Sequence, residues 1–166
     1  MRIIILPAFN GDCILVEFQL SHYILIDGGY VDTYKNYLLP TLKEIAARGG
    51  ELDVVVVTHI DGDHISGIIR MMEDMPIGIR EIWYNGYRHI QSVAVTVAEK
   101  ETFVHRNISK ECQAEKAKTI SAKQGCTLSA LIAKNGISWN TPSKGYTIMA
   151  PMTFPLGDAI IHVLSP

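Results

Sequence analysis

Four side chains that commonly bind metal ions fall close together in the chain. They are His59, Asp61, Asp63 and His64, and they directly follow four consecutive valines at residues 54–57. Imidazole nitrogens and carboxylate oxygens are the ligands expected for Zn²⁺, Mn²⁺ or Fe²⁺, ions that activate water for hydrolysis. Loops at the carboxyl ends of buried strands are also where rigid scaffolds place functional groups. The cluster therefore predicts a hydrolytic metal site.

The spacing of these residues divides them into two pairs. His59 and Asp61 are two positions apart, whereas Asp63 and His64 are adjacent, and we expect this second pair to point differently from the first. Because one tetrahedral ion cannot comfortably take all four, the simplest arrangement gives each pair its own ion, with further ligands from elsewhere. That is a two-metal arrangement used for hydrolysis.

Two simpler interpretations of the cluster stay open at this point. Asp63 could be the N-cap of a helix that begins near His64, or the four side chains could form a solvated turn. An EF-hand is excluded, because its D-x-[DN]-x-[DN]-G spacing and terminal Glu are missing. We favour the metal site, since four ligand-type side chains directly behind a buried strand are unusual for a simple turn.

The surrounding sequence predicts the strands that would position the cluster. Apolar runs at residues 2–6, 13–18 and 23–26 predict an antiparallel meander. A strand is predicted at 53–57, where the four valines lack alternation, which indicates a strand buried on both faces. Further strands are predicted at 79–84, 146–150 and 159–164.

Helices are predicted between these strands. The first has Asp32 as its N-cap and Gly49-Gly50 as its end, with a kink or restart at Pro40. The second covers residues 64–72. Residues from about 91 to 141 predict a helical insertion with helices at 110–118 and 127–135, the latter ending at Gly136. Strands mixed with covering helices predict a single α/β layered domain over residues 1–166.

The cluster and two upstream segments resemble the metallo-β-lactamase superfamily. The sequence THIDGDH at residues 58–64 resembles its H-x-H-x-D-H motif, and GDCIL at 11–15 and LIDGG at 25–29 resemble its opening hairpins. Asp61 stands where most members have a second histidine. Such H-x-D-x-D-H versions are similar to the hydrolase domain of ComEC-type competence proteins and related stand-alone bacterial proteins. The resemblance covers roughly residues 1–88 and the last two strands, and it implies an αββα sandwich of mixed sheets covered by helices.

The resemblance also implies roles for individual residues. The pair containing Asp61 would bind the first ion and the pair containing Asp63 the second. Asp63 would in addition orient the attacking water, while Asp27 and Thr58 would support the ligands from behind. The implied cofactor is one or two Zn²⁺ ions, and the oxygen ligand at Asp61 makes Mn²⁺ or Fe²⁺ compatible alternatives. The implied reaction is hydrolysis of an ester or a phosphodiester.

The superfamily takes its remaining ligands from the second half of its fold, and this sequence has no matching downstream motif. His89, on a loop after a strand, is the remaining histidine best placed to approach the cluster. His105 is expected to be exposed, and His162 alternates with apolar neighbours and should face solvent. We therefore expect an N-terminal portion of such a domain, incomplete at its C-terminus. The alternative function is a catalytically inactive metal-binding or interaction remnant.

Composition limits the partners and the compartment. A formal charge of -2 provides no general basic surface for nucleic acid, so that partner is supported only by the ComEC-like resemblance and the lysines of residues 110–123. Three cysteines, Cys13, Cys112 and Cys126, predict buried reduced thiols in a cytoplasmic protein. The sequence has no apolar run that would span a membrane. Apolar edges left by an incomplete fold predict self-association.

Overall fold

A six-stranded mixed sheet forms the centre of the computed structural model, which describes residues 1–19, 21–86, 89 and 120–164. Its strands lie side by side in chain order: β1 (Arg2–Ile5), β2 (Ile14–Phe18), β3 (His22–Ile26), β4 (Leu52–Val57), β5 (Ile79–Tyr84) and β6 (Ser138–Trp139). The first three strands are antiparallel, as predicted, and β3 to β6 are parallel. Strands β7 (Met152–Leu156) and β8 (Ala159–Val163) form a separate antiparallel pair.

Helices join the parallel strands. The first helical stretch consists of α1 (Val31–Thr33), a π-helical segment (Tyr34–Leu38) and α2 (Leu39–Ala47). Helix α3 (Gly62–Asp74) follows β4, and α4 (Ile120–Asn135) precedes β6, with a 3₁₀ turn at Thr141–Ser143. Within the described ranges, no helix combines the length and the apolar character needed to cross a membrane.

Two apolar cores lie on opposite faces of the large sheet. On one face, Leu25 and Val55 pack with residues of α2, α3 and α4. On the other face, Val54 and Trp83 pack with Phe154 of the β7–β8 pair. Successive valines of β4 therefore enter different cores, which explains why that strand is apolar without alternation. The helix–sheet–sheet layering confirms the predicted α/β class and agrees with a metallo-β-lactamase fold.

The predicted helix ends are only partly correct. The first helix begins at Val31 after Tyr30, so Asp32 lies in the first turn and is not the N-cap. The predicted restart at Pro40 is confirmed, since the π-helical segment ends at Leu38 and α2 begins just before the proline. Proline has no N–H to donate to the preceding turn, which accounts for the change of helix type there.

The strand predicted at 146–150 is wrong. The segment is a loop. Its backbone hydrogen bonds at Ile148 are made with the side chain of Asn85 and not with the backbone of a neighbouring strand. Asn85 Nδ2 donates to the Ile148 carbonyl at 2.7 Å, and the Ile148 N–H donates to Asn85 Oδ1 at 2.9 Å. The strand forms instead at β7, a few residues later.

Part of the segment predicted as a helical insertion belongs to the central sheet. Strand β6 pairs in parallel with β5 and was not predicted, because two residues carry too little pattern. The helix predicted at 127–135 is confirmed as part of α4, with Gly136 following it at a φ of +64°. The helix predicted at 110–118, together with His105 and Cys112, lies outside the described residues.

Helix α3 crosses the end of β3 in direct backbone contact. The Gly67 N–H donates to the Gly29 carbonyl at 2.8 Å, and the Gly28 N–H donates to the His64 carbonyl at 2.9 Å. A Cβ added at Gly67 would lie 1.9 Å from the Gly28 carbonyl oxygen. Because Gly28 and Gly67 have no side chains, α3 can approach the end of β3 this closely. This close approach determines the position of His64 relative to β3.

The buried thiol of Cys13 lies in the helix-side core near Asp27. Burial raises its pKa from 9.0 to about 12, and the negative charge of Asp27 adds to the shift. Because the folded-state pKa is higher than the ordinary one, the thiol disfavours the native state only as the pH rises above about 9. Cys13 thus behaves as the predicted small apolar side chain, whereas Cys126 is only half-buried.

Replacing Gly67 with alanine should destabilise the fold by at least about 2 kcal/mol, because the added methyl group would collide with backbone that cannot move away. Denaturant unfolding of Gly67→Ala and wild type measures the difference. Gly78→Ala is the matched control, since a Cβ there meets only ordinary contacts at 3.4 Å or more. Equal stability losses in both variants would contradict the close crossing.

Alkylation should distinguish Cys13 in the folded and unfolded chain. At pH 8, a pKa of about 12 leaves roughly a thousand-fold less thiolate than the ordinary pKa of 9.0. Iodoacetamide labelling followed by peptide mass spectrometry should therefore modify Cys13 readily in urea and very slowly in native protein. Rapid native labelling of Cys13 would be incompatible with its burial.

Candidate metal centre

The buried carboxylate of Asp27 organises the candidate site. Asp27 ends β3 with a φ of +54° and is 1% exposed. Its Oδ1 accepts the Thr58 N–H at 2.9 Å, and its Oδ2 accepts the Thr58 hydroxyl at 2.5 Å and His64 Nδ1 at 2.9 Å. One side chain thus joins the ends of two parallel strands to the start of α3.

The bond to Asp27 determines which nitrogen of His64 can bind an ion. Because Nδ1 donates its proton to the carboxylate, Nε2 is left with a lone pair. His64 Nε2 lies 3.8 Å from Asp63 Oδ2, so the donor atoms of this pair face the same space. The His64 side chain is 9% exposed and that of Asp63 is 23% exposed, so the pair is reachable from solvent but held by the protein.

The other pair is His59 and Asp61. We call residues 58–64 the ligand loop; they connect β4 to α3 and include the first residues of that helix. His59 Nδ1 lies 3.6 Å from Asp61 Oδ2 and accepts the Asp61 N–H at 3.4 Å. Both side chains are largely exposed. The rings of His59 and His64 approach to 3.7 Å between centroids, so the two pairs are neighbours.

Asp63 does not have the capping role that was the simpler interpretation. Helix α3 begins at Gly62 with Asp61 in the N-cap position, and the Asp61 side chain makes no capping hydrogen bond. Asp63 lies in the first helical turn, where the positive end of the helix dipole favours a carboxylate. The interpretation of Asp63 as an N-cap is therefore wrong.

Asp12 is a site residue that the sequence interpretation missed. Its Oδ2 lies 3.9 Å from His64 Nδ1, and Asp12, Asp27 and His64 offer ligand atoms within 4.8 Å of one another. The Gly29 N–H donates to the Asp12 carbonyl at 2.9 Å, which fixes this loop against the end of β3. In the sequence, Gly11-Asp12 indicates only part of a hairpin, and the one signal that could have identified Asp12 is its carboxylate directly before a strand.

The other histidines differ in their surroundings. His89 is buried, its ring meets Trp139 edge-on with 4.6 Å between centroids, and its carbonyl accepts the Thr147 hydroxyl. Its N–H donates to the Gly86 carbonyl. His162 is exposed on β8 while its two neighbours pack inward, which confirms the prediction of a solvent-facing side chain.

The chemistry of the donor set fits a divalent transition-metal ion. Histidine nitrogens and carboxylate oxygens are presented together, and a buried carboxylate behind a ligating histidine is the usual support for such a ligand. The side chains of the ligand loop meet as two adjoining pairs. This arrangement can hold one ion or two neighbouring ions, with solvent access on the side of His59 and Asp61.

Comparison with known proteins agrees with the family that the sequence motif resembles. The family model described as Metallo-beta-lactamase superfamily matches residues 6–120. The hydroxyacylglutathione hydrolase of Aeromonas hydrophila subsp. hydrophila is 28% identical over 74 residues, which are 45% of this chain and 26% of that protein. The match thus spans about a quarter of the relative's length. Because the family model covers more than half of the sequence, the chain belongs to the metallo-beta-lactamase superfamily.

Proposed function

We propose that this domain is a metal-dependent hydrolase that uses water to cleave an ester or a phosphodiester. The observation that carries the proposal is the arrangement of His64 between two carboxylates. Asp27 holds His64 Nδ1 from the buried side, and Asp63 Oδ2 lies 3.8 Å from His64 Nε2 on the other side. A purely structural Asp–His pair would not need a second carboxylate at the remaining nitrogen.

Each of the four candidate ligands has a part in this proposal. His59 and Asp61 would hold one ion, and Asp63 and His64 would hold a second or complete the first. When bound, a divalent cation supplies Lewis-acid polarisation of the substrate and activation of water. Asp63 accepts a hydrogen bond from the attacking water and so orients it, while Asp27 keeps the His64 ring in place.

Zinc is the ion we expect, as one or two Zn²⁺. Histidine and carboxylate ligands suit zinc, and the harder oxygen donor at Asp61 suits Mn²⁺ or Fe²⁺ as well. Asp61 is also the most exposed of the four side chains, at 67%. Its pair should therefore exchange its ion more readily than the pair that Asp27 supports.

Two observations guide the choice of substrates. The H-x-D-x-D-H form of the motif resembles the ComEC-type proteins, which supports a phosphodiester and extends to nucleic acid as a substrate class. The similarity to the Aeromonas hydroxyacylglutathione hydrolase supports a hydroxyacyl thioester of glutathione. Both substrates contain an electrophilic centre that water can attack. The same two pairs of candidate ligands could therefore serve the hydrolysis of either one.

A second candidate is a catalytically inactive metal-binding or interaction module. It is favoured by the position of His89, which is buried and whose ring packs against Trp139. Exposed apolar side chains on the edge strand β1, Ile3 and Ile5, support self-association in that case. Turnover separates the two candidates, and metal content alone does not.

The first test is metal analysis of protein purified without chelators or added metal. Wild type should contain close to one or two equivalents of zinc, manganese or iron, and His59→Ala/His64→Ala should lose most of it. His162→Ala is the control, since that histidine is solvent-exposed on β8. Metal far below one equivalent that is unchanged in the double variant would rule out a working site.

Activity is then measured on bis(p-nitrophenyl) phosphate, p-nitrophenyl acetate and a hydroxyacyl thioester of glutathione. The hydrolase proposal expects turnover of at least one substrate that the double variant reduces about 100-fold or more. Stoichiometric metal without turnover of any of them would favour the inactive module.

Asp27→Asn should weaken metal binding by about 10- to 100-fold. The amide would donate to His64 Nδ1, which moves the imidazole proton to Nε2 and blocks the nitrogen that faces Asp63. Titration with Zn²⁺ measures the affinity. The matched control is Asp53→Asn, because Asp53 is a buried acid that contacts His22 Nδ1 at 3.2 Å at the opposite end of the same two strands. Equal losses in both variants would argue against a specific role for Asp27.

A further inference from the structure

Helix α4 contacts the ligand loop at the two residues that separate its candidate ligands. A Cβ added at Gly125 would lie 3.5 Å from Ile60 Cγ2 and 2.8 Å from Tyr84 Oη. A Cβ added at Gly62 would lie 3.5 Å from Gln124 Oε1. Ile60 precedes Asp61 and Gly62 follows it, so α4 meets the loop on both sides of that ligand.

The amide of Gln124 is anchored at its nitrogen, while its oxygen is buried beside Gly62. Gln124 Nε2 donates to Ser66 Oγ at 2.8 Å, which ties α4 to the first turns of α3. Gln124 Oε1 is buried and accepts no hydrogen bond from the residues that the structure describes. A buried amide oxygen without a donor calls for an explanation, since nearly all such atoms in proteins are paired.

The turn beside that oxygen is the start of α3. The first N–H groups of any helix have no acceptor within the helix, and in α3 these are the groups of Gly62 and Asp63, since the His64 and Ile65 N–H groups donate to the Asp61 carbonyl. Gly62 lies between Asp61 and Asp63, so drawing these two carboxylates toward an ion would tighten the turn at Gly62. Because Gly62 has no side chain, the Gln124 amide can lie directly against this turn.

We propose that Gln124 is a positioning residue for the metal centre. Its amide oxygen accepts the backbone N–H groups at the start of α3 when Asp61 and Asp63 close on a cation, and Ser66 holds the amide in place. The inference rests on the proposed function, because it assigns α4 a part in the same metal site. It extends the site to a helix that is remote in sequence and provides none of the ligands.

Zinc titration of wild type and Gln124→Met tests the proposal. Methionine keeps the length of the side chain but removes both the acceptor oxygen and the amide group that donates to Ser66, so we expect at least about ten-fold weaker binding. Asn135→Ala is the matched control, because Asn135 Nδ2 donates to the Met72 carbonyl at 2.8 Å and ties the far end of α4 to α3. That variant should stay within about two-fold of wild type, since it loosens the same helix pair away from the loop.

Hydrogen exchange provides a readout that does not depend on activity. In wild type, zinc should slow amide exchange at Gly62 and Asp63, and in Gln124→Met this protection should be largely lost. Thermal unfolding checks that the variants fold. Gln124→Asn, which withdraws the oxygen by one methylene, serves as a second variant with the same expected result.

The outcomes are distinguishable. A wild-type protein that binds no zinc overturns the proposed function and this inference together. A wild-type protein that binds zinc, with unchanged affinity and protection in both Gln124 variants, overturns this inference alone. Equal weakening by Gln124→Met and Asn135→Ala would also overturn it, because the effect would then be general loosening of α4.

Discussion

The structure of the site depends on how a buried carboxylate is neutralised. An isolated carboxylate costs several kcal/mol to bury, so Asp27 is compatible with folding only if donors converge on it. Two come from Thr58 at the end of β4 and one from His64 at the start of α3. The glycine crossing of Gly28 and Gly67 brings α3 close enough for the third bond. The hydrogen bonds that make the burial of Asp27 possible therefore also orient the candidate ligand His64.

A second buried Asp–His pair, at the opposite end of the same strands, serves as a comparison because its surroundings do not resemble a metal site. Asp53 is also buried and accepts from a histidine, His22, and from the Tyr23 N–H. There the additional charged neighbour is Arg80, which lies 3.4 Å from the Asp53 carboxylate. At the candidate site the additional charged neighbour is instead a carboxylate, since Asp63 Oδ2 lies 3.8 Å from His64 Nε2. An Asp–His pair therefore becomes a candidate metal centre through its third neighbour.

Much of the fold could be predicted because its pattern is local. The valine run fixed the buried strand β4, the glycines after Asp27 and α2 marked the ends of elements, and the ligand motif followed β4 as expected. The strand predicted at 146–150 is wrong because the backbone of Ile148 bonds to the side chain of Asn85, which is distant in sequence, and not to another strand. Asp12 was missed for a related reason, since its closeness to His64 depends on a loop packing across the sheet end.

The residues of the ligand loop alternate between two roles. Thr58 bonds to Asp27 and Ile60 packs against the helix-side core, whereas the side chains of His59 and Asp61 are largely exposed. The apolar packing of the loop and its candidate donor atoms therefore belong to different residues. In the proposed metal site, the type of donor at position 61 could thus be altered, and with it the preferred ion, while the buried contacts of the loop are kept.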